Sequence, residues 1–447
     1  MKIGLLAMSG LRAHDPELLA LGLTLPGVIE RGAVVTSMPC LGLLWLAALT
    51  PEKHDVHYFE ADHVGVLPDE LFECELVAIS ALTAQAFETY EAARLLRQAG
   101  VKTALGGLHA TVCPEEALEH VDYVFVGEGE SIWPHALNDI ESGTDQRLWR
   151  ASQYPPVILK DLVTPRYDLL ADGDWNRFPV QTTRGCPWRC DFCASSIMLE
   201  RPYRKRPVEH VIRDIREIKR FRKRPFIELA DDNTFVDKKW GKELCRALIP
   251  EKIKWFTETD ISVADDDELL ELLRASRCRQ LLIGLESPYA EQLAGVELNR
   301  DFKRRSADDY IAAIRKIQSH GITVNGCFVL GLDHQGPEIF QQVFDFAMAV
   351  PLFEIQVTVM TAFPGTPLYA RLLKEGRILE PGRWDLCTLF DVNLQPKNMG
   401  VDELRRGMFW LVENLYKSDC IARRRRPFLE EQWDRSRQAP DPARAVG

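Results

Sequence analysis

Short apolar runs alternate with helix-spaced segments along most of the chain. In the first third, Lys2–Met8 reads as a strand, Leu41–Leu49 as a helix, and residues 57–60 and Leu76–Ser80 as strands. Residues 87–98 have helical spacing, and Gly100 ends them as a C-cap would. Residues 103–105 and Tyr123–Val126 read as further strands, closed by Gly106-Gly107 and by Gly127-Glu128-Gly129-Glu130. Glycine at the carboxyl end of a strand lets backbone approach a ligand, and in open α/β sheets that edge is where ligands bind. The same glycines would equally serve tight strand-to-helix turns.

Residues 153–174 hold Pro155, Pro156 and Pro165 and read as an irregular crossover leading to a strand that ends near Thr183. Beyond it the alternation resumes. Strands are expected at Phe226–Leu229, 255–261, 280–285, Thr323–Leu330 and 354–361, with helices at Val208–Phe221, 265–275, 307–320 and 340–349. Six such repeats imply a parallel sheet curved as a partial barrel. Asp231, Asp232, Glu258, Glu286, Asn325 and Thr361 fall on these strands or just beyond them. There they are placed either for chemistry or for capping helices. Residues 384–391 are aromatic and apolar and would cover the barrel mouth. Residues 401–416 form a helix with Leu404, Met408, Leu411, Val412 and Leu415 on one face. Arg423-Arg424-Arg425-Arg426 reads as a solvated helix face, with peripheral contact to an anionic membrane surface as the alternative. Residues 436–447 are expected to be disordered.

The chain has 447 residues, enough for two or three domains, and a formal net charge of −11, which argues against a general nucleic-acid binder. The longest apolar run, Leu41–Leu49, has 9 residues, well short of a membrane helix. The start, MKIGLLAMSG, reads as a first strand rather than a signal peptide. The 11 cysteines are scattered apart from one group, a usage that suits a reducing cytoplasm.

That group carries the chemistry. Residues 181–196 read QTTRGCPWRCDFCASS and place Cys186, Cys190 and Cys193 in a C-x3-C-x2-C pattern. Thiolates are soft ligands, and a structural zinc site would need a fourth. No further Cys or His follows nearby, so three thiolates fit a four-iron cluster with one iron open better than a zinc knuckle. The pattern, with Phe192 before the last cysteine and the lead-in Thr183-Arg184-Gly185-Cys186-Pro187, resembles the signature of radical S-adenosylmethionine (SAM) enzymes. The resemblance implies a [4Fe-4S] cluster held by the three cysteines, SAM chelated to the fourth iron, and reductive cleavage of SAM to a 5′-deoxyadenosyl radical. It further implies SAM contacts by Phe192, Asp231, Asp232, Glu286 and Ser287, and a glycine turn near the adenine at Gly331. A donor for the SAM carboxylate is not assignable from the sequence.

Residues 41–44, then Gly106-Gly107-Leu108-His109-Ala110-Thr111, then Gly127-Glu128-Gly129-Glu130, resemble the cobalamin-binding domain that precedes many radical SAM domains. On that resemblance, backbone at Gly106, Gly107, Gly127 and Gly129 would line a cobalamin crevice. The axial-histidine motif D-x-H-x-x-G is missing, and His63 reads as a surface residue. The expected fold is α/β: an N-terminal Rossmann-like parallel sheet domain (1–145), a linker (146–178), a radical SAM partial (β/α)6 TIM barrel (179–375) and a C-terminal helical cap (376–447). The resemblance implies cobalamin-dependent C-methylation of an unactivated carbon in a small-molecule or lipid substrate, with flavodoxin or ferredoxin as electron donor. The alternative is a radical SAM cyclase, oxidase or rearrangement enzyme with or without cobalamin. A methylthiotransferase fits less well, since Cys40, Cys74 and Cys113 are far apart in sequence. A non-catalytic carrier fits less well still, since the cysteine triad is intact.

Overall fold

Strand β1 (Lys2–Met8) has apolar residues on both of its faces, and the computed structural model shows why. Ile3, Leu5 and Ala7 pack with Leu43, Ala47, Ile132 and Trp133, while Leu6 and Met8 pack with Val77, Ile79, Ala93 and Leu96. A parallel strand covered by helices on both faces has no solvated side to keep polar. Around it lie β2 (Asp55–Ala61), β3 (Leu76–Ser80), β4 (Lys102–Gly106), β5 (Tyr123–Val126) and β6 (Leu148–Arg150), in the order β2-β1-β3-β4-β5-β6. Every pair in this sheet is parallel. The connection from β1 leads to β2 on one side and that from β3 to β4 on the other, so the topological switch point, where such sheets bind ligands, lies at the carboxyl ends of β1 and β3. Strand β6 is a correction to the expected linker. It has 3 residues, too few for a pattern to show, but it buries Trp149 completely.

The structure describes residues 1–9, 13–24, 38–195, 203–350 and 352–438. These fall into two compact units. One is Met1–Pro16, Ala33–Asp232 and Thr361–Gln395, and the other is Glu17–Gly32, Asn233–Met360 and Pro396–Gly447. The second sheet is made of β7 (Phe178–Val180), β10 (Phe226–Leu229), β11 (Lys254–Thr259), β12 (Cys278–Glu286), β13 (Thr323–Leu330) and β14 (Glu354–Val359), in the order β14-β13-β12-β11-β10-β7. These are the six repeats expected of a partial barrel. A two-stranded ribbon of β8 (Thr183–Arg184) and β9 (Arg204–Lys205) brackets the cysteine loop.

Helix Val208–Phe221 has Val211, Ile212, Ile215 and Ile218 on its buried stripe. At roughly 1.5–3 kcal/mol per buried aliphatic side chain, that stripe rather than helix propensity holds it in place. Helix Val401–Leu415 buries Leu404, Met408, Leu411, Val412 and Leu415 as its spacing predicts. Two expectations are corrected. Trp384 belongs to the core of the N-terminal sheet rather than to a cover for the barrel mouth. The arginine run is not one solvated face: Arg424 is 2% exposed and donates to the carbonyls of Leu352, Phe353 and Leu415. Arg425 pairs with Glu354, while Arg423 and Arg426 are exposed. The helix Ser418–Gln438 runs into the stretch expected to be disordered, of which residues 439–447 lie outside the described residues. Among the described residues no helix is long and apolar enough to cross a membrane.

Candidate cofactor site

The lead-in to the cysteine loop is held by two aspartates at the end of β10. Asp231 Oδ1 accepts from the backbone N–H of Thr182 at 2.7 Å and of Thr183 at 2.8 Å, and its Oδ2 accepts from Thr182 Oγ1 at 2.5 Å. Asp232 Oδ2 accepts from Gly185 N at 3.0 Å. Gly185 has φ +98°, a left-handed turn that only glycine adopts without strain, immediately before Cys186. The backbone then folds back so that Cys193 N donates to Cys190 O at 3.2 Å. Between them Asp191 accepts from Leu368 N through its carbonyl at 3.0 Å and from Arg371 through its carboxylate at 3.2 Å. Cys186, Cys190 and Cys193 are unbridged and half-buried, as is Phe192. Three soft donors on one short, half-buried loop fit an iron–sulfur cluster that keeps one iron for another ligand.

The glycine turns of the first sheet form a cradle. Gly107 has φ +95°, and a Cβ there would stand 3.0 Å from the carbonyl oxygen of Ala81, just past the end of β3. Gly127 also has φ +95°, and its Cβ would meet that of Ala151 at 2.9 Å. Gly106 and Gly129 are under no such constraint, with nearest neighbours at 3.9 and 3.4 Å, so they leave room at the edge. A bare backbone edge beside the switch point fits a large planar cofactor such as cobalamin. Thr111 ties the two turns together, donating to Gly107 O at 2.8 Å and accepting from Gly127 N at 3.0 Å.

Below the cradle, Tyr90 Oη lies 2.7 Å from His109 Nε2 and 3.0 Å from Glu116 Oε1, and Trp384 Nε1 donates to Glu116 at 2.9 Å. The donor atoms of His109, Cys113 and Glu116 lie within 4.8 Å of one another. Tyr90 and Trp384 already occupy two of them, and burial together with Glu116 and Glu115 pushes the Cys113 thiol up to about 12. Hydrogen bonds thus engage His109 Nε2 and Glu116, while His109 Nδ1 is buried without a hydrogen-bond partner among the described residues. His63 caps a short turn, accepting from Gly65 N at 3.1 Å, as a surface residue would.

In the second unit, Glu286 ends β12 with φ +62°, at a register shift between Gly284 and Glu286. A non-glycine residue in the left-handed region at a motif position is the kind of local strain that gathers at functional sites. Its carboxylate pairs with Lys303 Nζ at 2.9 Å, and Lys303 also donates to Gly284 O at 2.5 Å. Ser287 is fully buried and bonded to Gln292, which donates to Gln342 at 2.8 Å. Lys303 is a buried cation that the sequence hid inside Lys303-Arg304-Arg305, a run that reads as solvated. Gly331 has φ +88° and donates to Gln335 at 2.8 Å. Asn325 lies on its strand as expected, but near the start of β13 rather than at its carboxyl end.

A model of the radical SAM superfamily matches residues 180–347, and a model of the B12 binding domain matches residues 31–137. Together they take in more than half of the chain. The chain is a radical SAM enzyme with a B12-binding domain. The two domains indicate a [4Fe-4S] cluster, SAM and cobalamin as cofactors. This radical SAM enzyme is similar to bacteriochlorophyllide d C-12(1)-methyltransferase of Chlorobaculum tepidum, 26% identical over 404 residues that cover 89% of this chain and 86% of the relative. It is similar also to hopanoid C-2 methylase of Rhodopseudomonas palustris, 24% identical over 360 residues, 77% of this chain and 66% of that one. In fold it resembles the radical SAM methyltransferase TsrM of Kitasatospora setae with cobalamin and a [4Fe-4S] cluster bound. The TM-score is 0.63 at 16% identity, covering 86% of this chain and 80% of that one.

Proposed function

We propose that this enzyme methylates an unactivated carbon of a hydrophobic, ring-containing small molecule or lipid. The observation that carries the reading is that a B12-binding domain and a radical SAM domain occur together in one chain whose relatives, over most of its length, include C-methyltransferases. When bound, the cluster and SAM supply a hydrogen-abstracting radical, and cobalamin supplies a methyl carrier. Each methylation uses two SAM molecules and two electrons: one SAM ends as methionine and 5′-deoxyadenosine, the other as S-adenosylhomocysteine. A low-potential one-electron donor of flavodoxin or ferredoxin type provides the electrons.

The residues assigned to SAM are Phe192, Asp231, Asp232, Glu286 and Ser287, with Asp231 acting mainly through the loop that it anchors. Lys303 balances Glu286 and offers an N–H donor suited to a carboxylate. Gly106, Gly107, Gly127 and Gly129 give cobalamin a side-chain-free edge. Iron and cobalt are to be counted in protein purified without oxygen from cobalamin-supplied cells. About four irons and about one cobalt per chain are expected, with S-adenosylhomocysteine released in turnover. Iron without cobalt, and 5′-deoxyadenosine without S-adenosylhomocysteine, would instead establish the cyclase, oxidase or rearrangement alternative.

A further inference from the structure

The turn Gly127-Glu128-Gly129-Glu130 carries two kinds of residue in alternation. Its glycines belong to the cobalamin cradle, and its carboxylates reach the cysteine loop. Arg184, two residues before Cys186, donates through Nη1 to Glu128 Oε1 at 2.7 Å and through Nη2 to Glu130 Oε1 at 2.6 Å. Its Nε donates to Gln181 at 3.0 Å, and its guanidinium stands 5.5 Å from the centroid of the Trp45 ring. Arg204, paired with Arg184 across the β8–β9 ribbon, donates to the same Glu128 at 2.6 Å and to Val157 O at 3.1 Å. The side chains are 12% (Arg184), 8% (Glu128), 9% (Glu130) and 18% (Arg204) exposed. Burial alone would raise the Glu128 carboxyl, but Arg204 and Arg184 hold it below its ordinary value, so it stays ionised.

Two guanidiniums and two carboxylates that are this dry add little net stability, because desolvation consumes most of their attraction. What they do supply is register. A forked guanidinium fits two carboxylates in one alignment, and any slip would leave a buried charge unpaired. We infer that Arg184 is a positioning residue that fixes the cluster loop relative to the cobalamin cradle, so that SAM and cobalt meet in a productive arrangement. This rests on the function proposed above.

The test uses full-length, anaerobically reconstituted protein and no methyl acceptor. Iron, cobalt and 5′-deoxyadenosine formed with dithionite report the cluster alone. S-adenosylhomocysteine formed from SAM under titanium(III) citrate reports SAM meeting the reduced cobalamin. Broadening of the cobalt(II) EPR signal by the reduced cluster reports their separation. For Arg184→Gln, metal content and 5′-deoxyadenosine are expected to hold within about twofold, while S-adenosylhomocysteine falls about tenfold to a hundredfold and the EPR broadening changes. Arg184→Lys keeps the charge without the fork and should show the same pattern. Glu130→Gln, which weakens one arm, should fall between. Unchanged S-adenosylhomocysteine in Arg184→Gln and Arg184→Lys with both metals present would overturn the inference alone. So would a joint loss of iron and both products in all three variants. Wild-type protein that takes up no cobalt would overturn the proposed function and this inference with it.

Discussion

Replacing Asp231 separates two roles for one carboxylate: holding the cysteine loop or touching SAM. Asp231→Ala removes the acceptor from two backbone N–H groups and one hydroxyl, all on Thr182 and Thr183, which are fully buried. A buried donor left unpaired costs about 1–3 kcal/mol, so the three together predict a loss of about 3–9 kcal/mol, concentrated on the segment that leads into Cys186. Asp231→Asn keeps one oxygen for the two N–H groups, and its amide can donate to the Thr182 hydroxyl, whose own hydrogen is free to turn. Only the charge assistance is lost, about 1–2 kcal/mol. The assay is iron per chain after anaerobic reconstitution, with the urea midpoint and 5′-deoxyadenosine formation alongside. If anchoring dominates, Asp231→Ala loses iron and stability while Asp231→Asn keeps iron, fold and most SAM cleavage. The reasoning is refuted if Asp231→Asn retains full iron and stability yet cleaves SAM as poorly as Asp231→Ala.

Burial raises the Glu60 carboxyl to about 7, and its hydrogen bond from Tyr58 only partly opposes this. The folded protein thus holds that proton more tightly than the unfolded chain, whose value is near 4.5. The resulting stability is full below the unfolded value and lost as pH rises through the folded one. Glu60→Gln should therefore flatten the fall in urea midpoint between acidic and mildly alkaline pH, removing a dependence on the order of 2–3 kcal/mol. Gly107→Ala must place a Cβ at positive φ against Ala81 O, and is expected to lower cobalt content with iron unchanged, read by metal analysis. Arg424→Met strips the donor from three buried or half-buried carbonyls and should cost about 2–4 kcal/mol by urea denaturation, whereas a double Arg423→Ala, Arg426→Ala change should cost under about 0.5 kcal/mol.

What the sequence disclosed and what it hid divide along physical lines. The two sheets were legible because parallel strands covered on both faces must be apolar throughout, and glycines punctuate their ends. The cysteine triad was legible because its three thiols fall on one stretch of 8 residues. Strand β6 was too short to carry a pattern, whereas Asn325 stands third in a strand whose expected bounds, Thr323–Leu330, are the observed ones, so its distance from the carboxyl rim was already legible. Arg424 and Lys303 were hidden inside basic runs, where composition suggests solvent but individual side chains turn inward. Thr111 binding two glycine turns, and Trp384 entering a distant core, depend on contacts that no local pattern encodes.

The most instructive case is Arg184. Its place in the motif is visible beside Cys186, yet its partners Glu128 and Glu130 stand 56 and 54 residues earlier, inside what reads as a separate glycine motif. Residues within each motif thus divide into two kinds. Some, such as the cysteines and the glycines, suit a cofactor. Others, such as Arg184, Glu128, Glu130 and Asp231, spend their charge on one another or on the loop backbone. Radical chemistry explains why the second kind would be written into the same short stretches. A primary carbon radical attacks most C–H bonds that it meets, so the loop that generates it must be placed as strictly as the chemistry is chosen. A buried ionic contact is poorly suited to adding stability, but it penalises misplacement heavily, and it is used where placement is what the reaction requires.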